Sequence, residues 1–183
     1  MKSIILLGYM CAGKTTVGKT LAKSLNRSFY DLDWYIEERY HKRIPQIFEE
    51  KGEQGFRELE RRMLHEVAEF EDIILACGGG TPCFFDNMDY MNSRTITIFL
   101  KASPEIILTH LKLSHTVRPL LQDKNDKELA IFIEQQLEER MPYYSHAHYT
   151  FNVNILDDYN KINLLVNHIK GVLLAQEDGK MEN

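Results

Sequence analysis

The sequence predicts an α/β protein in which a parallel β-sheet is wrapped by helices. Short apolar runs alternate with helical patterns along the 183 residues, and this alternation is typical of parallel strands joined by crossover helices. A glycine-rich motif also follows the first apolar run directly, in the strand–loop–helix setting of phosphate-binding loops. The length suits one domain that buries a full core without disulfides or metals.

The expected strands are the short apolar runs of the chain. Their predicted bounds are Ile4–Leu7, Ser28–Leu32, Ile73–Cys77, Thr95–Leu100 and Tyr149–Val153. In an open α/β sheet, ligands bind outside the carboxyl ends of the strands. Residues that directly follow these runs are therefore the first candidates for a functional site.

Helices are expected between the strands. A charged helical stretch runs from Trp34 to Glu71 and is punctuated at Pro45 and Gly52. Pro104 is well placed in the first turn of a later helix, where its missing N–H costs nothing. The remaining helices are predicted at Thr15–Leu25, Pro104–Leu111, Asp126–Tyr144 and Asn160–Leu174.

The chain contains no repeat, linker or clear domain boundary. We therefore expect one domain over residues 1–175, with a helical insertion at about 33–61 and a polar loop at about 112–125. Segment 176–183 is polar and is expected to be a frayed tail.

Composition excludes several classes of function. The 22 Lys and Arg against 27 Asp and Glu give a net charge of −5, which argues against a nucleic-acid binder that relies on a basic surface. No apolar run approaches the roughly 18 residues of a membrane span, and the N-terminus lacks the pattern of a signal peptide. Cys11, Cys77 and Cys83 form no C-x-x-C pair, so we expect reduced thiols in the cytoplasm rather than a zinc site.

The segment Gly8–Thr16, here called the phosphate loop, matches G-x-x-x-x-G-K-[ST]. Its glycines allow the backbone to turn tightly around phosphate oxygens, and the helix that follows adds the positive end of its dipole. Lys14 is expected to reach the β- and γ-phosphates, and the Thr15 hydroxyl to hold Mg²⁺. The predicted nucleotide-binding residues of the loop are Gly8, Cys11, Ala12, Gly13, Lys14, Thr15 and Thr16.

Two other strand ends carry candidate site residues. Asp31 and Asp33 occupy alternate positions, which share one face in an extended segment. One carboxylate can position Mg²⁺ through water, and the other can accept the proton of an attacking hydroxyl. A cap on a helix beginning at Trp34 is the alternative for Asp33. Gly78–Gly80 follows the third strand, where the glycines indicate either a close backbone approach to a ligand or a flexible turn.

Three arginines complete the candidate site. Arg57 lies on a highly charged helix, where Glu60 can orient it by an i,i+3 pair; its position alone favours a solvated face. Arg118 lies in the polar loop, as expected of a closing lid that screens transition-state charge. Arg140 is an isolated cation near a helix end, where it could instead interact with the helix dipole.

Together, six motifs resemble the shikimate kinase family, in the family's order and over roughly residues 4 to 153. They are the phosphate loop, Asp31-x-Asp33, Phe56-Arg57-x-x-Glu60, Gly78-Gly79-Gly80, Arg118-Pro119-Leu120-Leu121 and Arg140-x-Pro142-Tyr143. The resemblance implies a three-layer P-loop kinase fold, with a five-stranded parallel sheet in the order 2-3-1-4-5, helices on both faces, a substrate-binding insertion and a lid. It also implies ATP-dependent phosphorylation of the 3-hydroxyl of shikimate, a step of chorismate and aromatic amino-acid biosynthesis.

The resemblance also implies roles for single residues on the acceptor side. Asp33 would hold the substrate hydroxyls and take the proton. Arg57 and Arg140 would grip the carboxylate of shikimate, since guanidinium forks suit a planar carboxylate. Gly78–Gly80 would lie against the substrate ring, with Gly79 and Gly80 packed on it.

On the nucleotide side, Asp31 would act on one Mg²⁺ per monomer through water, alongside Thr15. Arg118 would bridge the phosphates and the substrate, so that Lys14, Asp33 and Arg118 are the expected catalytic residues. The family usually has an adenine-stacking arginine just before the lid, where this chain has His110. The imidazole could stack in its place.

Two other functions remain open at this point. The chain could be a related P-loop kinase that acts on gluconate or a nucleoside monophosphate. The Asp33 carboxylate beside two arginines that can bind a substrate carboxylate favours a polyhydroxy acid instead. A nucleotide-binding regulator without transfer activity is the alternative of a different class. The expected partners are ATP and shikimate, without nucleic acid or membrane, and nothing in the sequence demands more than a monomer.

Overall fold

Five parallel strands form one sheet in the order β2-β3-β1-β4-β5, which confirms the expected topology. The computed structural model describes residues 2–113 and 126–181. The strands are β1 (Ile4–Leu7), β2 (Ser28–Asp31), β3 (Ile73–Ala76), β4 (Ile96–Lys101) and β5 (Tyr149–Asn152). β1 lies at the centre, with Ile4 in register with Ile74 of β3 and with Ile96 of β4.

Seven helices occur within the described ranges. They are α1 (Lys14–Leu25), α2 (Leu32–Tyr40), α3 (Ile44–Ala68), α4 (Asn87–Arg94), α5 (Pro104–Leu113), α6 (Asp126–Tyr144) and α7 (Tyr159–Met181). A 3₁₀ turn at Thr81–Cys83 follows β3. None of these helices combines the length and apolar character that a membrane crossing requires.

Both faces of the sheet are covered by helices. On β1, Ile4 and Leu6 belong to the core shared with α1, α5, α6 and α7, whereas Ile5 and Leu7 belong to the core shared with α2, α3 and α4. Alternate side chains of a strand point to opposite faces. A strand that is covered on both sides therefore has apolar residues at successive positions, and this pattern in the sequence predicted β1.

The connection after β2 differs from the prediction. β2 ends at Asp31 and α2 begins at Leu32, because the Asp31 carboxylate caps the helix by accepting from the Asp33 N–H at 3.2 Å. The predicted strand end at Leu32 and the alternative of Asp33 as the cap are therefore wrong. Asp33 lies in the first helical turn, so the two carboxylates do not share a face of an extended strand.

Other helix bounds follow from local backbone chemistry. Pro45 lies in the first turn of α3, and Gly52 breaks the regularity of that helix with φ 67° and ψ −179°, as the sequence indicated. α4 was not predicted; its polar sequence buries only Asn87, Met88 and Met91. α7 continues to Met181, so residues 176–181 are helical within the segment for which a polar tail was expected.

Candidate active site

The phosphate loop leaves the central strand β1 and enters α1 at Lys14. Gly8 has φ +144°, and a Cβ there would lie 2.7 Å from the Leu100 carbonyl oxygen, so only glycine fits this turn. The Lys14 ammonium donates to the carbonyl oxygens of Gly8 and Tyr9 at 2.8 and 2.9 Å. The loop thus curls around the cation, at the N-terminus of a helix whose dipole favours anions.

Oxygen ligands for a cation lie beside this loop. The Thr15 hydroxyl donates to Asp31 Oδ2 at 3.0 Å, so the ends of β1 and β2 meet through these two side chains. No group of three or more His, Cys, Asp or Glu side chains in residues 2–113 and 126–181 could hold a metal ion. A hydroxyl and a carboxylate side by side can contribute to binding a cation whose other ligands are phosphates and water, as is usual for Mg²⁺.

A cleft of about 550 Å³ runs along the carboxyl ends of the strands. One end is polar and is lined by Asp31, Asp33 and the backbone of Gly78 and Gly79. The other end is lined by His110, Leu113 and Leu156, with the phosphate loop between the two ends. The cleft can therefore take a ligand that is polar at one end and less polar at the other.

Arg57 lies beside Gly80, next to the polar end of the cleft, and contacts orient its guanidinium group from two sides. Its Nη1 donates to Glu60 Oε2 at 2.8 Å, which confirms the predicted i,i+3 pair, and its guanidinium lies 4.1 Å from the ring centroid of Phe84. Glu60 is only 1% exposed and also accepts from the Thr81 hydroxyl at 2.6 Å. A buried carboxylate thus ties Arg57 to the turn after β3, and a solvated face is excluded for this arginine.

Arg140 reaches the same turn from α6. Its Nη2 donates to Gln136 at 2.6 Å, and its guanidinium lies 5.1 Å from the centroid of the Tyr9 ring. The alternative of a helix-end arginine does not hold, because α6 continues to Tyr144 and the side chain reaches back along the helix. Arg140 Nη1 packs against Gly79.

The turn Gly78–Gly80 is wedged between these groups. Gly79 packs against the Gly8 carbonyl and the Met10 amide of the phosphate loop, and Gly80 packs against the Arg57 guanidinium. The fully buried Tyr144 donates its hydroxyl proton to the Gly79 carbonyl at 2.5 Å, and burial raises the pKa of this phenol. The backbone of this turn therefore lies close to the phosphate loop and to both arginines, and its approach to a ligand stays a prediction.

Arg118 and most of the predicted lid lie outside the described residues. Within them, the structure brings the remaining predicted site residues to one edge of the sheet. Sequence reasoning missed the aromatic support of Arg57 by Phe84, the Tyr144 hydroxyl and the cleft-lining Leu156. These residues are far from their partners in the chain, and no spacing rule connects them.

Comparisons with known proteins agree with this geometry. The model of the shikimate kinase family matches residues 10–170. A shikimate kinase of Bacteroides thetaiotaomicron is 51% identical over 173 residues, which are 94% of this chain and 99% of that protein. Its 1.7 Å crystal structure superposes with a TM-score of 0.91, covering 94% of this chain and 98% of that chain.

A second solved structure is more distant in sequence. The shikimate kinase of Acinetobacter baumannii, solved in complex with shikimate, is 35% identical, with a TM-score of 0.83 and coverage of 96% of this chain and 94% of that chain. The family match spans most of the chain, and the fold and the strand-end cleft agree with it. The chain belongs to the shikimate kinase family.

Proposed function

We propose that this enzyme transfers the γ-phosphate of ATP to the 3-hydroxyl of shikimate. The observation that carries the proposal is the set of groups around Gly78–Gly80: a carboxylate, Asp33, and two guanidinium groups, next to the phosphate loop. A polyhydroxy acid can donate hydroxyl hydrogen bonds to the Asp33 carboxylate, and its own carboxylate can accept from the two guanidinium groups. Family membership favours this acceptor over gluconate or a nucleoside monophosphate, and favours an enzyme over a regulator.

The phosphate loop would bind the triphosphate. Backbone N–H groups of Gly8–Thr16 and the N-terminus of α1 supply positive potential, and Lys14 adds a full charge beside the β- and γ-phosphates. Thr15 and Asp31, 3.0 Å apart, would hold one Mg²⁺, Asp31 through water. When bound, this ion neutralises charge on the phosphate oxygens.

Asp33 would act on the acceptor. Its position at the polar end of the cleft lets the carboxylate bind a substrate hydroxyl and accept its proton as the oxygen attacks phosphorus. The protein forms no covalent bond in this scheme. Catalysis comes from positioning donor and acceptor and from charge neutralisation.

Arg57 and Arg140 would fix the acceptor through its carboxylate. Because Glu60 and Gln136 orient the two guanidinium groups, little rotamer entropy is lost when the substrate binds. Arg118, in the lid at about 112–125, would bridge phosphates and substrate, and the insertion at about 33–61 would bind the substrate. We further propose a monomer that works in the cytoplasm, where its three free cysteines stay reduced.

Substitution of each arginine tests the carboxylate grip. We expect Arg57→Lys and Arg140→Ala to raise the KM for shikimate on the order of 10- to 100-fold, since a hydrogen bond to a charged group is worth about 1.5–3 kcal/mol. The KM for ATP should stay within about twofold, because neither residue lines the apolar end of the cleft. Arg61→Ala is the control. Arg61 lies on the same helix as Arg57, and its substitution removes only a surface ion pair with Asp86. A rise in the KM for ATP without a rise for shikimate would reverse the assignment.

A further inference from the structure

His110 on α5 holds two separate backbone segments with its two ring nitrogens. The Leu156 N–H donates to Nε2 at 2.8 Å, and Nδ1 lies 2.8 Å from the Cys11 carbonyl oxygen. A backbone amide can only donate, so Nε2 accepts and carries no proton. The proton therefore lies on Nδ1, which donates to Cys11, and the imidazole is neutral in this arrangement.

The first of these segments is the phosphate loop at a strained residue. Cys11 has φ +60°, a left-handed conformation that costs free energy for any residue other than glycine. Its carbonyl oxygen is the acceptor of the imidazole Nδ1–H. The hydrogen bond thus holds the peptide that follows Cys11, between the two glycines of the motif, in the orientation that the loop requires.

The second segment is the connection between β5 and α7. Leu156 packs over the other end of the same loop, where its Cδ1 lies 2.6 Å from the position of a Cβ on Gly13. Leu156 also lines the apolar end of the cleft with Leu113. One imidazole therefore fixes both the phosphate loop and the side chain that covers it.

We propose that His110 is a positioning residue for the nucleotide, which locks the phosphate loop and the Leu156 segment together as the base-side wall of the cleft. The proposal rests on the proposed function only in taking ATP as the phosphoryl donor. The flat aromatic faces of the base of ATP suit the end of the cleft that is lined by Leu113 and Leu156 and lies away from Asp33. His110 thus acts through Cys11 and Leu156, with no role in the chemistry at phosphorus.

Three substitutions dissect the two hydrogen bonds. His110→Ala removes both, and we expect it to raise the KM for ATP about tenfold with little change in the KM for shikimate, since each neutral bond is worth about 0.5–1.5 kcal/mol. His110→Gln places an acceptor near the Nε2 position and should restore part of the affinity. His110→Asn reaches only as far as Nδ1 and should restore less. His146→Gln, at an exposed histidine, is the control.

Two readouts separate positioning from a merely structural role. The KM for ATP of His110→Ala should rise while kcat at saturating ATP stays within about twofold, and His110→Gln should recover part of the KM. Binding of Mg-ADP, followed by the fluorescence of Trp34, the single tryptophan and a cleft-lining residue, should weaken in parallel. An unchanged KM for ATP in His110→Ala, or a fall in kcat without a rise in this KM, would overturn the proposal. Loss of shikimate-dependent turnover in the unmodified enzyme would instead refute the proposed function, while the fluorescence titration would still test His110.

Discussion

Replacement of Glu60 by glutamine should damage both the stability of the protein and its grip on the acceptor. Glu60 is 1% exposed and Arg57 is 15% exposed, and the carboxylate also accepts from Thr81. Removing one partner of a buried ion pair costs about 3–5 kcal/mol. Glutamine keeps the shape and one acceptor oxygen, so we expect a loss of about 2–3 kcal/mol.

This free energy corresponds to a measurable fall in the melting temperature. At about 2–4 °C per kcal/mol for a chain of this size, Glu60→Gln should lower Tm by about 4–12 °C. The KM for shikimate should rise about tenfold, because the guanidinium of Arg57 loses the charge-assisted bond that orients it. Thr81→Val, which keeps the charge of Glu60 and removes one bond, should lower Tm by less.

The matched control is Glu58→Gln on the same helix, where the side chain is exposed and accepts only from Gln54 at 3.2 Å among the bonds described. It should change Tm by about 1 °C and leave the KM for shikimate unaltered, since surface interactions contribute little. Thermal melts give Tm, and steady-state kinetics give the KM for shikimate, for both variants. If Glu60→Gln behaves like Glu58→Gln, the buried carboxylate does not organise the acceptor site.

Three further predictions concern the proton acceptor, the glycine turn and the response to pH. Asp33→Asn should keep Mg-ADP binding within about twofold yet lower kcat about 100-fold or more; near-normal kcat would remove its role as proton acceptor. Gly79→Ala should raise the KM values for both ATP and shikimate, because the new methyl group would lie 3.3 Å from the Gly8 carbonyl oxygen. An effect on one substrate alone would contradict the packing of Gly79 between the phosphate loop and Arg140. Burial and then the charge of Arg61 lower the pKa of His65, so its neutral form is favoured by folding. The contribution of neutral His65 to the stability of the folded protein is therefore complete above pH 6.5 and declines as the pH falls below that value. His65→Gln should make Tm depend less on pH below 6.5. Equal slopes of Tm against pH in the variant and the unmodified protein would refute this role of His65.

The sequence predicted those parts of the site that follow from local patterns. The phosphate loop needs two glycines, a lysine and a hydroxyl at fixed spacing, and the structure places them at the end of β1 as expected. The pair of Arg57 and Glu60 was also predictable, since residues three apart on a helix are neighbours. Asp33 was identified as a site residue, but its helical conformation was not predicted, because two carboxylates compete for one capping position.

Contacts between distant segments could not be predicted in this way. Thr81 binds a carboxylate 21 residues away, and the Tyr144 hydroxyl reaches a carbonyl 65 residues away. The two bonds of His110 span 99 and 46 residues. Such contacts depend on how the strands are ordered in the sheet, and neither composition nor periodicity specifies them. Both partners of the His110 ring are backbone groups, so no side-chain pattern in the sequence points to them.

The most direct test of the central claim is a coupled assay of ADP release with Mg-ATP and a panel of acceptors. The panel contains shikimate, gluconate and nucleoside monophosphates, with ATP alone as the background. ADP release that requires shikimate is the predicted result. Turnover with another acceptor instead, or ATP binding without turnover on any acceptor, would contradict the assignment of shikimate.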